Sequence, residues 1–148
     1  MRIALAADHA GFALKDELAA WLRDGGHQVT DLGTNGPESV DYPTFGAKLA
    51  DAIADGEADL GIAICGSGIG ISIAVNRNPA CRCALVSEPL SAALAREHNN
   101  ANVLALGARL TGPDLAKACV AAFLATDFAG GRHGRRVDLL SPQLQGSD

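Results

Sequence analysis

The sequence predicts an α/β fold built on a five-stranded, mostly parallel sheet. Short apolar runs alternate with amphipathic segments along most of the chain, which is typical of strands joined by crossover helices. Pro43, Pro89 and Pro113 stand where helices would begin, and proline is tolerated in a first helical turn because its missing N–H has no partner there. With 148 residues, 48% of them hydrophobic, the chain can bury a substantial core as one domain.

The predicted elements follow one another in strict alternation. The first helix places Leu14, Leu18 and Leu22 on one face, and Gly25-Gly26 ends it. The predicted strands are residues 2–7, 27–32, 59–64, 82–86 and 103–106, and the predicted helices are residues 12–22, 43–54, 69–76, 89–98 and 113–124. Such strands form a parallel sheet with right-handed crossovers. Ligands of open α/β sheets bind beyond the carboxyl ends of the strands, so we expect a ligand site there.

Composition argues against several classes of protein. Lys and Arg total 12 against 17 Asp and Glu, so the net charge of −5 does not suggest a nucleic-acid partner. No apolar stretch approaches the roughly 20 residues that cross a bilayer, and the first residues do not resemble a signal peptide. We therefore expect a cytoplasmic protein with no membrane partner. The four cysteines are expected to be free thiols: Cys65, Cys81, Cys83 and Cys119.

The most informative stretch begins at Cys65, at the end of an apolar run that is typical of a buried strand. Gly66, Gly68 and Gly70 leave the main chain open to a ligand, and the N–H groups that open the next helix suit an anion. The spacing is not a dinucleotide fingerprint, because Ile71 stands where a third glycine is required, and a P-loop ending is also missing. A tight strand-to-helix turn without a ligand is the alternative.

Several polar side chains are candidates for chemistry, each with a purely structural alternative. Cys65 could act as a base or nucleophile beside the amide donors, or be a small buried apolar residue. His98, at a predicted helix end, could exchange protons near neutral pH or only interact with the helix dipole. Asp8 could cap the following helix, and His9 could contact a substrate. The arginines of residues 130–136 suit a phosphate, or form only a solvated surface.

In these motifs the chain resembles the type B ribose-5-phosphate isomerases and their relatives that act on galactose 6-phosphate and allose 6-phosphate. The similarity extends over nearly the whole chain. It is carried by residues 8–11, 41–43, 65–74, 87–89, 98–99, 102–104, 107–109 and 130–133. Some members use a glutamate at the position of Ile71, so Cys65 with an apolar Ile71 indicates the cysteine-dependent branch. The resemblance implies a three-layer α/β/α, Rossmann-like domain.

The resemblance also implies an aldose–ketose isomerase of the pentose phosphate pathway. It would interconvert D-ribose 5-phosphate and D-ribulose 5-phosphate through an enediolate, with no metal or other cofactor. Cys65 would transfer the proton at carbon, His98 would assist ring opening, and Ser67 would help to move protons between oxygens. The other expected substrate contacts are Asp8, His9, Tyr42, Gly66, Gly68, Ile69, Gly70, Asn99, Arg109, Arg132 and Arg136.

Two other functions remain open. An isomerase for allose 6-phosphate or galactose 6-phosphate is the nearest alternative, because a few side chains could change the substrate preference. A noncatalytic sugar-phosphate-binding module on the same architecture is an alternative of another class.

By the same resemblance, two chains form a homodimer with active sites at the interface, and a tetramer is also open. Residues 127–148 are expected to reach the partner subunit, where Arg132 and Arg136 would bind the phosphate of a sugar held mainly by the other protomer. His9 and Arg109 would join them around the phosphate. The last three residues, 146–148, are expected to be frayed.

Overall fold

The computed structural model describes residues 1–141, so the expected fraying of residues 146–148 lies outside the described range. The strands are β1 (Arg2–Ala7), β2 (Gln28–Asp31), β3 (Leu60–Cys65), β4 (Cys83–Leu85) and β5 (Val103–Gly107). The helices are α1 (Phe12–Asp24), α2 (Tyr42–Ala54), α3 (Ile69–Asn76), α4 (Pro89–Asn99), α5 (Pro113–Ala125) and α6 (Arg132–Asp138). The five strands form one parallel sheet in the order β2-β1-β3-β5-β4, which confirms the predicted fold class.

Helices cover both faces of this sheet and complete three layers. One core lies under α1, α4 and α5, and it includes the fully buried Leu18 and Phe123. The other lies under α2 and α3 and includes Leu49. Side chains of β3 alternate between the two cores, and Cys65 belongs to the second. Within residues 1–141, no helix is both long and apolar enough to span a bilayer.

The element bounds differ from the predicted ones by no more than two residues at any end. The larger discrepancy is α6, because no helix was predicted in the basic segment. None of its residues is buried, so the sequence has no apolar periodicity there that could reveal a helix.

The order of the strands creates a crevice at one edge of the sheet. From β1 the chain passes to β2 on one side, and β3 pairs with β1 on the other side. Ligands of open α/β sheets bind at such a switch point, beyond the carboxyl ends of the strands. Asp8 directly follows β1 and Cys65 is the last residue of β3, so both lie at this crevice.

Candidate active site

A cavity of about 290 Å³ opens at the carboxyl ends of β1 and β3. We call it the Cys65 cavity, and its lining residues are Asp8, Tyr42, Cys65, Gly66, Ser67, Gly70, Arg109 and Leu110. Seven of these eight residues were predicted from the sequence, and Leu110 was not. Leu110 is 73% exposed and carries no chemical signal of its own except its position directly after Arg109.

The sulfur of Cys65 lies within reach of the main chain that opens α3. The N–H of Gly68 donates to the Sγ atom at 3.2 Å, and the N–H of Ile69 donates to the Oγ atom of Ser67 at 3.2 Å. Gly68 has φ +79°, and an added Cβ would lie 2.8 Å from the carbonyl carbon of Leu106. The close approach of Cys65, Ser67 and these amides therefore depends on glycine at position 68.

The chain after β5 brings a positive charge to the Cys65 cavity. The N–H of Ala108 donates to the carbonyl of Cys65 at 2.9 Å, and the N–H of Arg109 donates to the carbonyl of Gly66 at 3.0 Å. The Arg109 side chain rests against Gly66, where an added Cβ would be 3.3 Å from the Nη1 atom. The cavity thus combines a thiol, a hydroxyl and a guanidinium group.

The aromatic wall of the cavity is Tyr42, the first residue of α2. Its ring lies directly against Gly70, since an added Cβ there would be 2.7 Å from the ring. A side chain at position 70 would therefore displace Tyr42 from the cavity.

Asp8 and His9 are held by the main chain around them. The Oδ1 atom of the buried Asp8 accepts hydrogen bonds from the N–H groups of Ala10 and Gly11 at 3.0 and 3.1 Å. Asp8 therefore fixes the turn before α1, whereas the N-cap position belongs to Gly11, so the alternative in which Asp8 caps this helix is wrong. The N–H of Val40 donates to the Nδ1 atom of His9 at 3.1 Å, which orients that ring.

A second cavity, of about 250 Å³, contains the other group of predicted residues. We call it the His98 cavity, and its lining residues are His98, Asn99, His133, Arg136, Val137 and Leu140. The rings of His98 and His133 stack with centroids 4.4 Å apart. Desolvation, followed by the charges of His98, Arg132 and Arg136, lowers the pKa of His133. His133 was not among the predicted site residues, although it belongs to a stretch that carries the resemblance.

The two cavities lie at opposite edges of the sheet. Cys65 is at the carboxyl ends of the strands, whereas His98 ends the helix that leads into β5 and therefore lies at their amino ends. Hydrogen bonds confirm this position, because Arg82, just before β4, donates to the Asn100 carbonyl at 2.8 Å. Among the described residues, none lines both cavities. One chain alone does not bring Cys65 and His98 together.

The remaining predicted residues and the other thiols lie outside these two cavity linings. Gly68 is the N-cap residue of α3 and Ile69 begins this helix, and Arg132 begins α6 on the exposed surface. All four cysteines are free, as predicted, and Cys119 is fully buried in the core. In the described range, no group of three or more His, Cys, Asp and Glu side chains is placed to hold a metal ion.

Known proteins match the sequence of this chain over almost its full length. The profile of the Ribose/Galactose Isomerase family matches residues 3–140. Ribose-5-phosphate isomerase B of Escherichia coli (strain K12) is 48% identical over 140 residues, covering 95% of this chain and 94% of that protein. Ribose-5-phosphate isomerase B of Mycolicibacterium paratuberculosis is 42% identical over 143 residues, with coverages of 95% and 90%.

Solved structures that resemble this chain are also ribose-5-phosphate isomerases. Ribose-5-phosphate isomerase B of Clostridium thermocellum superimposes with a TM-score of 0.94 at 50% identity, covering 95% of each chain. The Mycoplasma genitalium ribose-5-phosphate isomerase B, solved with bound ribulose-5-phosphate, gives 0.90 at 40% identity, with coverages of 94% and 93%. Sequence and fold agree, and the chain belongs to the ribose/galactose isomerase family.

Proposed function

We propose that this protein interconverts D-ribose 5-phosphate and D-ribulose 5-phosphate. The observation that carries the proposal is the Cys65 cavity, in which a sulfur, a hydroxyl, main-chain amides and a guanidinium group face one space of about 290 Å³. Relatives named ribose-5-phosphate isomerase B, at up to 50% identity, support the choice of substrate.

The reaction needs a base for a carbon-bound proton. In the aldose-to-ketose direction, the Cys65 thiolate removes the C2 proton, and the C–H electron pair forms the C1–C2 double bond of an enediolate while O1 takes the negative charge. The thiol then returns the proton to C1 as the C2 hydroxyl becomes a carbonyl. Ser67 carries the proton from O2 to O1. Atoms and electrons balance without an external oxidant or reductant.

Main-chain amides stabilise the intermediate. The N–H of Gly68 donates to the Cys65 sulfur and the N–H of Ile69 donates to the Ser67 hydroxyl, each at 3.2 Å, and in this proposal the N–H groups from Gly66 to Gly70 bind the developing oxyanion. Hydrogen-bond donors that are already in place where negative charge develops usually make the largest single contribution to lowering the reaction barrier. Asp8, Tyr42 and Asn99 hold sugar hydroxyls in this proposal. His9 and Arg109 contact the phosphate.

Ring opening and phosphate binding require residues that line the other cavity. His98 assists opening of the furanose ring, and Arg132 and Arg136 bind the phosphate. Since these residues lie at the opposite edge of the sheet from Cys65 in one chain, we infer that a second copy supplies them. His98 and Asn99 would thus reach the sugar together with the C-terminal segment, and a symmetric dimer would contain two equivalent sites.

A panel of sugar phosphates tests the proposed reaction. We expect ribose 5-phosphate to be isomerised faster than allose 6-phosphate and galactose 6-phosphate, and faster turnover of either hexose phosphate would overturn the choice of substrate. Cys65→Ala should lower kcat by about 10²- to 10⁴-fold, the usual contribution of a positioned acid or base, while calorimetry still detects ribose 5-phosphate binding. Cys83→Ala is the matched control, and it should keep full activity. Full activity of Cys65→Ala would mean that another group is the base, whereas binding of ribose 5-phosphate without turnover of any sugar phosphate in the wild type would favour a noncatalytic binding protein.

Mixing inactive variants tests whether the site is shared. Cys65→Ala and His98→Ala subunits, each inactive alone, should recover about a quarter of wild-type activity when mixed equally, since half the dimers are mixed and each has one intact site. If both residues came from the same chain, mixed dimers would contain no intact site. Arg136→Ala should complement Cys65→Ala in the same way. Mass spectrometry verifies that mixed dimers form, and inactivity of verified mixed dimers contradicts the shared site.

A further inference from the structure

The main chain turns sharply directly after His98 and Asn99. Asn100 has a φ of 46°, in the left-handed region, and the N–H of Ala101 donates to the carbonyl of Ala95 at 2.9 Å, which closes α4. The direction of this turn determines how α4 presents His98 and Asn99, its last two residues.

Arg96 holds this turn from within the helix. Its Nη1 atom donates to the Oδ1 atom of Asn100 at 3.0 Å and to the carbonyl of Ala101 at 2.7 Å. The guanidinium group also lies over the ring of Phe123 in α5, 5.8 Å from the centroid. Arg96 therefore connects the last turn of α4, the Asn100 turn and the neighbouring helix.

Arg82 holds the same turn from the sheet. Its Nε atom donates to the carbonyl of Asn100 at 2.8 Å, and its main-chain N–H donates to the Oδ1 atom of Asn102 at 2.7 Å. Two guanidinium groups thus meet at one residue, Asn100. The acceptors are main-chain and amide oxygens at the end of a helix, where positive charge is favoured.

The end of a helix does not require two neighbouring guanidinium groups, and placing them together has an unfavourable free energy. Burial and the nearby charge of Arg82 lower the pKa of Arg96, which shows that its charged form is held there against desolvation and like-charge repulsion. A glycine or asparagine in the left-handed conformation closes a helix without any arginine. The two arginines therefore add rigidity to the segment that carries His98.

The same helix end also anchors the C-terminal segment. The N–H of Ala129 donates to the carbonyl of Glu97 at 3.0 Å, and the ring of His133 stacks on His98. These contacts fix the last turn of α4 against the segment that leads into α6.

We propose that Arg96, acting through Asn100, is a positioning residue that orients His98 for opening of the sugar ring. Arg82 is the second anchor of this turn. The inference rests on the role of His98 in the proposed function, and it adds a residue that touches neither the sugar nor the reacting atoms.

Two variants of Asn100 separate positioning from folding. Asn100→Gly keeps the left-handed conformation accessible but removes the Oδ1 acceptor of Arg96, whereas Asn100→Asp keeps an acceptor and also tolerates this conformation. Each is assayed with ribose 5-phosphate and with 4-deoxyribose 5-phosphate, which lacks the hydroxyl that closes the furanose ring. Arg96→Met removes the donor, and the exposed Arg23→Ala is the control.

We expect Asn100→Gly and Arg96→Met to lower kcat/KM for ribose 5-phosphate by about tenfold to 10²-fold, the order expected when a reacting group is misplaced. The loss with 4-deoxyribose 5-phosphate should be much smaller. Asn100→Asp, which keeps an acceptor for Arg96, should retain activity with both substrates. The double variant Asn100→Gly/Arg96→Met should be no worse than Arg96→Met alone, because Arg96→Met already removes the contact with the Oδ1 atom of Asn100. Arg23→Ala should be unchanged.

The outcomes distinguish this inference from the function on which it rests. Equal losses with both substrates in Asn100→Gly and Arg96→Met would overturn positioning and leave a purely structural role. A selective loss in His98→Ala with none in Asn100→Gly would also overturn positioning, while the proposed role of His98 stands. Equal losses with both substrates in His98→Ala would overturn the ring-opening role itself, and this inference with it.

Discussion

Cys65 and Lys15 are two residues whose burial contrasts with their chemistry. The Cys65 residue is only 4% exposed, yet it lines a cavity and accepts a hydrogen bond from Gly68. Lys15 is fully buried, and its ammonium group donates to Asp16 and Asp31 at 2.6 Å and to Asn35 at 3.2 Å. In both cases a polar atom is buried with partners, so the loss of a partner is expected to be costly.

The conformation of Gly68 gives the first prediction at this scale. Gly68→Ala should destabilise the fold by at least about 1–3 kcal/mol, because alanine is strained at φ +79° and its Cβ would clash with the main chain of Leu106. Urea denaturation measures the stability, and kcat should fall as the N–H of Gly68 moves from Cys65. Gly112→Ala is the control, since an added Cβ there meets no atom within 4 Å. Equal stability and activity of the two variants would contradict the requirement for glycine at position 68.

The buried ammonium of Lys15 gives the second prediction. Lys15→Met should lower the free energy of unfolding by about 1–3 kcal/mol, because the partly buried Asp31 would lose its counter-charge. Lys117→Met removes the more exposed pair with Glu17 and should cost at most about 1 kcal/mol. Urea denaturation of both variants at pH 7 compares them. A similar loss in both would mean that burial of Lys15 adds nothing to its ion pairs.

At the scale of elements, the sequence predicts what depends on local pattern. Helix α3 was predicted with its observed bounds, because Cys65 and the glycines mark its start and a continuous apolar segment follows. Strand β4 is shorter than predicted, at three residues, because it is the edge strand and pairs only with β5. Helix α6 was not predicted, since a helix without buried side chains leaves no periodic signal.

The candidate site could be predicted only in part for a related reason. Asp8, Cys65 and Arg109 follow apolar runs, and the carboxyl ends of parallel strands lie at one edge, so their proximity follows from the sequence. The position of His98 at the opposite edge follows from its place at the end of α4, because a helix that leads into a parallel strand ends near the amino ends of the strands. The stacking of His98 on His133 could not be predicted, because it depends on the packing of α6.

The segment that enters β4 gives a prediction of pH dependence. Burial raises the pKa of Cys81 from the ordinary value of 9.0 to about 11, and that of Cys83 to about 12. A raised folded-state pKa means that the unfolded chain loses its protons first, so stability is intact below pH 9 and falls as the pH rises toward 11 or 12. Urea denaturation from pH 7 to 11 should show this loss.

A double variant identifies the source of the alkaline loss. Cys81→Ala/Cys83→Ala should show a smaller fall in stability between pH 9 and 11 than the wild type, whatever its stability at pH 7. Cys119→Ala is less informative as a control for this element, because burial also raises the pKa of Cys119. Identical pH slopes for the double variant and the wild type would place the titrating groups elsewhere.

At the scale of the whole molecule, apolar side chains are exposed close to the Cys65 cavity. Ile69 and Ile73 are one turn apart on α3 and are 52% and 51% exposed, and Leu85 on the edge strand is 45% exposed. Leu110 lines the cavity itself. Large apolar side chains clustered around a cavity are typical of a surface that another protein covers. A second copy of this chain fits our proposal, because the Cys65 cavity needs the residues of the His98 cavity.

This surface gives the prediction that tests the shared site most directly. Ile73→Asp should convert the proposed dimer into a monomer, because a buried, unpaired carboxylate at an apolar interface is strongly unfavourable. The monomer should keep its fold, since Ile73 is exposed in the single chain, and it should lose most of its isomerase activity because His98 and Arg136 of a second copy no longer reach Cys65. Light scattering during gel filtration measures the mass, and circular dichroism measures the fold.

Leu115→Asp, on α5 at the other face of the sheet, is the control and should leave the mass and activity unchanged. A folded Ile73→Asp monomer with wild-type kcat/KM would show that one chain contains a complete site, and the separation of the two cavities would then need another explanation.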